Sequence, residues 1–277
     1  MSQSPLLTLN DGVHIPQVGL GVWQLDDKQT EASSLAALDA GYRHIDTAKI
    51  YGNEEAVGRA LKNTSVPRDE IFITTKLWNA DQGYESTLKA FDASMKRLGL
   101  ETLDLYLIHW AAPQLQKYKD TWRAFVRLKE EGRVRSIGVC NFNQSHLDDI
   151  IEDSGVVPSV NQIEIHPDFN QQALVDFCIS RKITTEAWSP LGQGGELLKA
   201  PLFKQLADKD GKEPVQVILR WHIQAGHVVI PRSKNPDRVK SNFEIFDFKL
   251  DDADMKAIAS MPQTGRLGPD PETFNNA

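Results

Sequence analysis

Hydrophobic and polar positions change period repeatedly along this 277-residue chain. Short aliphatic and β-branched runs predict strands at 18–20, 44–46, 71–75, 103–108, 136–139, 160–163, 184–187 and 228–230. Between them the spacing turns helical. Leu88, Phe91, Met95 and Leu98 recur every three or four residues, one helix face that Gly99 terminates. Trp122, Phe125, Val126 and Lys129 run toward Gly132 in the same way, and Leu147, Ile150 and Ile151 follow a cap at Asn143 or Ser145 and end near Gly155. A strand-then-helix alternation implies parallel strands joined by right-handed crossovers. Eight such units predict an α/β fold of the (β/α)8 TIM-barrel type, whose usual size is about 250 residues. An open doubly wound sheet is the rival, but Gly19-Leu20-Gly21-Val22-Trp23-Gln24 lacks the third glycine of a dinucleotide-binding turn.

Residues 1–277 read as a single domain. Residues 6–15, around Asn10-Asp11-Gly12, predict a β-hairpin that plugs the barrel bottom, since Asp-Gly supplies the positive φ of a tight turn. The segment 262–277, rich in Pro, Gly and Asn, predicts either a frayed end or a loop over the barrel mouth.

Composition narrows the classes. Charged residues are 25% of the chain and the formal net charge is −7, with no basic block, so there is no footprint for nucleic acid or an anionic membrane. No apolar run approaches the ~20 residues of a membrane span. The opening Met1-Ser2-Gln3-Ser4-Pro5 carries no secretion pattern, and Cys140 and Cys178 form no CxxC pair. The expectation is a cytoplasmic protein in a reducing compartment.

In such a barrel the chemistry sits at the C-terminal ends of the strands. Read in order, those ends give Asp46, Lys76-Leu77-Trp78, His109-Trp110, Cys140-Asn141, Gln162 with Glu164, Trp188-Ser189 and Arg232-Ser233. Trp23, Trp78, Trp110 and Trp188 all follow a predicted strand, and a mouth lined by aromatic rings and titratable groups suits a small molecule. Asp46, Tyr51, Lys76 and His109 together suggest a tuned proton donor. A free phenol, pKa about 10, is a poor acid at neutral pH. A neighbouring ammonium lowers that pKa, a carboxylate holds the ammonium, and an imidazole orients a carbonyl. The set suits protonating an oxyanion as hydride reaches its carbon.

These residues also carry a resemblance. Gly41-Tyr42-Arg43-His44-Ile45-Asp46-Thr47-Ala48-Lys49-Ile50-Tyr51-Gly52-Asn53-Glu54 resembles the long N-terminal motif of the aldo-keto reductases. Ile73-Thr74-Thr75-Lys76-Leu77-Trp78, Asp104-Leu105-Tyr106-Leu107-Ile108-His109-Trp110, Gly138-Val139-Cys140-Asn141-Phe142, Asn161-Gln162-Ile163-Glu164 and Val229-Ile230-Pro231-Arg232-Ser233 match in order. The resemblance covers essentially the whole chain and implies a catalytic tetrad of Asp46, Tyr51, Lys76 and His109 with Tyr51 as acid. It implies NADPH as cofactor: Cys140, Asn141 and Gln162 at the nicotinamide carboxamide, Trp188 stacked on the ring, Ser189, Leu191 and Gln193 along the pyrophosphate, and Arg232, Ser233, Arg238 and Asn242 at the adenosine end. A 2′-phosphate there fits the guanidiniums and the helix start near Pro236. Trp23, Lys49, Trp78, Asn79 and Trp110 would line the substrate pocket of a monomer.

Within the family, Lys76-Leu77-Trp78-Asn79, Trp188-Ser189-Pro190-Leu191-Gly192-Gln193-Gly194 and Gly265-Arg266-Leu267-Gly268-Pro269-Asp270-Pro271 are similar to the bacterial 2,5-diketo-gluconate reductases. That similarity implies reduction of 2,5-diketo-D-gluconate to 2-keto-L-gulonate; the alternative is a broad aldehyde, methylglyoxal or β-keto ester reductase. The sequence departs from the family pattern where Cys140 replaces serine, Arg232 replaces lysine, Ser241 replaces glutamate and Ala111-Ala112 interrupts His-Trp-Pro.

Plainer readings stand beside these. Asp46 with Lys76 is also a structural ion pair at a rim, and Arg232 and Arg238 are also surface charges. His109 and His166 each read alone as core histidines, and together they lack a third metal ligand. Lys49 either draws in a substrate carboxylate or is a solvated loop lysine. Trp122, Trp221 and Cys178 read as packing residues. Two other functional classes share the fold: a Schiff-base aldolase through Lys76, and an NADPH-binding sensor without turnover.

Overall fold

The computed structural model describes residues 4–263 and 265–276. Its strands are β1 (Leu6–Thr8), β2 (His14–Pro16), β3 (Leu20–Gly21), β4 (His44–Asp46), β5 (Phe72–Leu77), β6 (Leu103–Ile108), β7 (Val134–Cys140), β8 (Val160–Glu164), β9 (Thr184–Trp188) and β10 (Val228–Val229). The helices are α1 (Asp27–Ala40), α2 (Glu54–Asn63), α3 (Tyr84–Leu98), α4 (Tyr118–Glu130), α5 (Gln144–Ser154), α6 (Gln172–Ser180), α7 (Pro201–Asp210), α8 (Pro214–Gln224), α9 (Pro236–Ser241) and α10 (Asp252–Ala259).

Strands β3 to β10 pair in chain order, every pair parallel. The sheet closes through a parallel bridge from Val18 to Val229, with Gly19 N–H donating to Val229 O at 2.9 Å and Val229 N–H to Gln17 O at 2.9 Å. The (β/α)8 barrel expected from the alternation is the observed fold. The closure also explains the paired glycines at its first strand. A Cβ on Gly21 would lie 2.8 Å from Ile230 O, so the two edges meet too closely for a side chain.

Helix ends fall where the sequence marked them. Gly99 and Gly155 adopt φ of 69° and 71° and return their N–H groups to Met95 O and Ile151 O, capping α3 and α5. Asn143 caps α5, with His146 Nδ1 accepting its N–H at 3.3 Å. Trp122 and Trp221 are packed inside the helical layer, and Cys178 is buried on α6.

The hairpin β1–β2 covers the end of the barrel where the strands begin. Leu9 and Ile15 pack with Phe72, Leu105, Leu107, Val160 and Val228. Asp11 takes hydrogen bonds from Ser136 and Ser159 Oγ at 2.8 Å and pairs with Lys129. Among the described residues no helix is long and apolar enough to cross a membrane.

The barrel core tolerates no added volume at Gly138 on β7. A Cβ there would approach Val160 O to 2.6 Å and Leu107 Cδ2 to 2.9 Å. Gly138→Ala is expected to destabilise the fold by about 1–3 kcal/mol in denaturant unfolding, because neighbouring strands must separate.

Candidate active site

Side chains alternate across a strand, so every second residue points into the barrel. Counting back from the strand ends, the inward set holds Asp46 on β4, Lys76 on β5, Cys140 on β7, Gln162 on β8 and Glu186 on β9, all at most 2% exposed. Register completes the layer: Cys140 lies opposite Gln162, and Gln162 opposite Glu186. This polar ring sits one step below the mouth, with the apolar layer of Leu105 and Leu107 beside it.

Lys76 Nζ donates to Asp46 Oδ1 at 2.5 Å and to Thr47 O at 3.0 Å, and reaches Tyr51 Oη at 3.5 Å. Tyr51 sits on the 3-10 turn Lys49–Tyr51 that follows β4, its ring 5.7 Å from that of His109 and nearly perpendicular to it. His109 follows β6, bonded through its N–H to Leu77 O. The fold therefore brings Asp46, Tyr51, Lys76 and His109 together from three strand ends.

The charges in this layer are few. Burial works against the Lys76 ammonium, but Asp46 and Tyr51 outweigh it and hold the ammonium above its ordinary pKa. Burial also pushes Asp46 upward, against the pull of Lys76 and Gln162. Burial drives His109 well below the ordinary imidazole value, assisted by Lys76, so the ring is neutral. Cys140 is held as a thiol by burial. One expectation is corrected. Lys76 does pull the Tyr51 phenol down, but burial of the hydroxyl is the larger effect, and the phenol lies above its ordinary value.

Gln162 is engaged inside the protein. Its Nε2 donates to Asp46 Oδ2 at 2.8 Å and to Glu186 Oε2 at 3.0 Å, while its oxygen accepts from the Cys140 thiol at 3.7 Å. Asn141 donates to His109 O at 3.1 Å, and its Oδ1 accepts Trp188 Nε1–H at 2.8 Å. Asn141, Ser189 and Gln193 have φ of 57°, 48° and 57°, a left-handed backbone that non-glycine residues hold only where the surroundings demand it. Leu191 is half-buried against the core. Farther out, Asn235 Oδ1 caps α9 by accepting the N–H groups of Asp237 and Arg238. The exposed guanidiniums of Arg232 and Arg238 have no hydrogen bond or ion pair to a described residue, Ser233 Oγ accepts the Asn235 N–H, and Asn242 is buried behind them.

The mouth is aromatic. Trp78 packs edge-on to His109 at 5.4 Å, and Phe274 lies 4.3 Å from Trp110 and 6.3 Å from Trp78. Trp23 is 45% exposed at the end of β3. Asn79 Nδ2 donates to Asn276 O at 2.7 Å. Lys49, part-exposed at the mouth, forms an ion pair with Asp81 on the turn after β5. Ala112, in the departure from His-Trp-Pro, takes φ of 47° and is fully buried.

Two residues emerge that were given no role: Glu186, which was not singled out, and Glu164, read only as a strand end. Glu186 was visible as the inward position two residues before Trp188. Glu164, at the end of β8, accepts the backbone N–H groups of Leu267 and Gly268 at 2.7 and 3.0 Å, and Gly268 lies against Trp188, where a Cβ would collide. His166 Nε2 backs Glu164 at 3.0 Å and its Nδ1 meets Asp168 at 2.5 Å. Sequence spacing alone gave no sign that a strand-end carboxylate would hold a segment a hundred residues away.

Burial opposes the Glu164 charge, but His166 and the two tail N–H groups overcome it and lower its pKa. Burial opposes the His166 charge too, but Glu164 and Asp168 raise its pKa. The pair therefore contributes fully between the ordinary values of 4.5 and 6.5. It weakens as pH falls through the depressed Glu164 value or rises through the raised His166 value. Glu164→Gln is expected to speed amide hydrogen exchange at Leu267 and Gly268 by about tenfold or more at pH 6, with the strand core unaffected. Unchanged exchange there would show that the tail is held by other contacts.

Comparison with known proteins agrees with this geometry. A match to the Aldo/keto reductase family spans residues 17–262. An aldo-keto reductase of Mycolicibacterium smegmatis is 58% identical over 272 residues, covering 98% of each chain. The methylglyoxal reductase DkgA of Yersinia pestis is 48% identical over 277 residues, covering 100% of this chain and 99% of that one. The crystal structure of a Gox0644 mutant in complex with NADPH superposes with a TM-score of 0.95 at 47% identity, covering 99% of both chains. With the barrel, the order of its strand-end residues and these matches in accord, the chain belongs to the aldo/keto reductase family.

Proposed function

We propose that this chain is an NADPH-dependent carbonyl reductase that acts on small aldehydes and ketones, with Tyr51 as proton donor. The observation that carries the reading is the buried Lys76 ammonium, 2.5 Å from Asp46 and 3.5 Å from Tyr51 Oη, at the base of an aromatic mouth. The site is built within one chain, in keeping with a monomer, and two buried unpaired cysteines suit a reducing, cytoplasmic setting.

The cofactor-facing residues fit the group the relatives use. Asn141 Oδ1 keeps a lone pair beyond its bond to Trp188, available to an amide hydrogen. Arg232 and Arg238 offer guanidiniums without a partner among the described residues to a phosphate. Trp188 would stack on the nicotinamide, Ser189, Leu191 and Gln193 would follow the pyrophosphate, and Asn242 would meet the adenine. When bound, the reduced nicotinamide supplies the hydride. The rest falls to the protein. His109, neutral, orients the carbonyl oxygen; Tyr51 Oη gives its proton to that oxygen; Lys76 stabilises the phenolate left behind, and Asp46 keeps Lys76 charged and in place. A Lys76 held as an ammonium is a poor nucleophile, which works against the Schiff-base alternative.

Methylglyoxal and similar small dicarbonyls are the favoured substrates. The Yersinia pestis relative carries that name. The Lys49–Asp81 ion pair also removes a cation that a carboxylate-bearing sugar acid would otherwise meet. The mouth motifs shared with the 2,5-diketo-gluconate reductases support 2,5-diketo-D-gluconate as the second reading.

The test follows NADPH absorbance with methylglyoxal and with 2,5-diketo-D-gluconate. Tyr51→Phe is expected to lower kcat by about 10²–10⁴-fold while NADPH affinity changes by less than about twofold. Near-normal kcat in the variant would remove Tyr51 as the proton donor. A higher kcat/KM for the sugar acid than for methylglyoxal would reverse the order of substrates.

A further inference from the structure

The inward layer holds two carboxyl groups and one ammonium. Both hydrogens of the Gln162 amide are taken by carboxylate oxygens, one on Asp46 and one on Glu186. Glu186 is fully buried, and its second oxygen, Oε1, has no hydrogen-bond partner among the described residues. We propose that Glu186 is a positioning residue for proton transfer: through the shared Gln162 amide it fixes Asp46 as the single counter-ion of Lys76, and so sets the charge against which Tyr51 releases its proton. The proposal rests on Tyr51 being the donor.

Geometry separates the two acids. Asp46 contacts Nζ of Lys76 directly, whereas the oxygens of Glu186 touch Gln162 on one side and lie 3.8 Å from His44 Nε2 on the other. His44 is no cation there: burial lowers it to about 3, and its Nε2 is bonded to Thr74 Oγ1 at 3.0 Å. The groups facing Glu186 are thus Asp46 and His44 from β4, Lys76 from β5, Cys140 from β7 and Gln162 from β8. Burial, with the Asp46 charge adding to it, pushes Glu186 up to about 8 against the Gln162 bond and Lys76. At neutral pH it is an acid with no net charge, and it neither gains nor loses a proton during turnover. The proton given to the carbonyl oxygen comes from Tyr51 Oη alone. Above that value a second negative charge faces the ammonium, Tyr51 becomes a weaker acid, and proton donation slows.

The experiment is single-turnover oxidation of bound NADPH by methylglyoxal across pH, with Glu186→Gln and Glu186→Asp beside the wild type. The wild-type rate is expected to fall by about threefold or more between about pH 7 and about pH 9, through a step near 8. In Glu186→Gln the ratio of the two rates is expected to be about one, and in Glu186→Asp the step is expected to move, since a shorter acid withdraws from Gln162. An unchanged step in Glu186→Gln overturns the proposal. A second readout needs no turnover: at pH 7 the wild-type infrared spectrum is expected to show a carboxylic-acid C=O band that Glu186→Gln lacks. Absence of that band overturns the proposal by itself. If Tyr51→Phe kept its turnover while the band behaved as expected, the donor assignment would fail and the charge state of Glu186 would stand.

Discussion

Everything at this site depends on one ion pair sealed inside the barrel. Lys76 is fully buried and Asp46 nearly so, their charged atoms 2.5 Å apart. A lone buried charge is prohibitive, so each partner is tolerable only because the other is present; breaking such a pair typically costs about 3–5 kcal/mol. Strand order and register serve that requirement. Asp46 and Lys76 come from adjacent strands, the Thr47 carbonyl takes another ammonium hydrogen, and the Gln162 amide takes the second Asp46 oxygen. Burial holds the surrounding groups neutral: His44 and His109 as imidazoles that take no second proton and Cys140 as a thiol, with Glu186 proposed as an uncharged acid. The layer so proposed sets one positive charge against one negative charge, and the Tyr51 hydroxyl sits at its upper edge.

That arrangement suits the role proposed for the tyrosine without making it acidic in the isolated protein. Burial raises the phenol and Lys76 lowers it, with burial ahead. In the proposed reaction the ammonium acts where negative charge develops, on the phenolate formed as the proton leaves. Above the layer, the tail approaches the same residues from outside. Glu164 fixes Leu267 and Gly268 beside Trp188, while Phe274 rests on Trp78 and Trp110. The polar layer is built from strands and the mouth from loops and tail, so the chemistry proposed for the layer rests on a rigid frame while the pocket rim is open to variation.

How much of this was legible in the sequence follows from physical range. The alternation of periods located all eight barrel strands, because parallel strands buried on both faces are short and aliphatic. Strand-end residues were legible for the same reason, and the positions of Asp46, Lys76 and His109 at the ends of β4, β5 and β6 follow from it. Glu186 was readable in principle from its parity with Trp188, but a glutamate inside the strand Thr184–Trp188 gives no sign of its partner until the register of β8 and β9 is known. The Glu164 contacts to residues 267 and 268 and the Lys49–Asp81 pair join distant segments through turns and tail, where no period constrains the path. The raised Tyr51 phenol escapes the sequence because a neighbouring charge can be read there and the depth of burial cannot.

The central claim is that Asp46 and Lys76 act as one unit in delivering the proton. The measurement that tests it most directly is a double-mutant cycle on the single-turnover rate of methylglyoxal reduction, using Asp46→Asn, Lys76→Met and both together. Residues acting as a unit give non-additive losses, so the double variant is expected to be about as slow as the worse single variant. Losses that multiply, with NADPH binding intact in all three, would show that the two side chains contribute independently and would contradict the account.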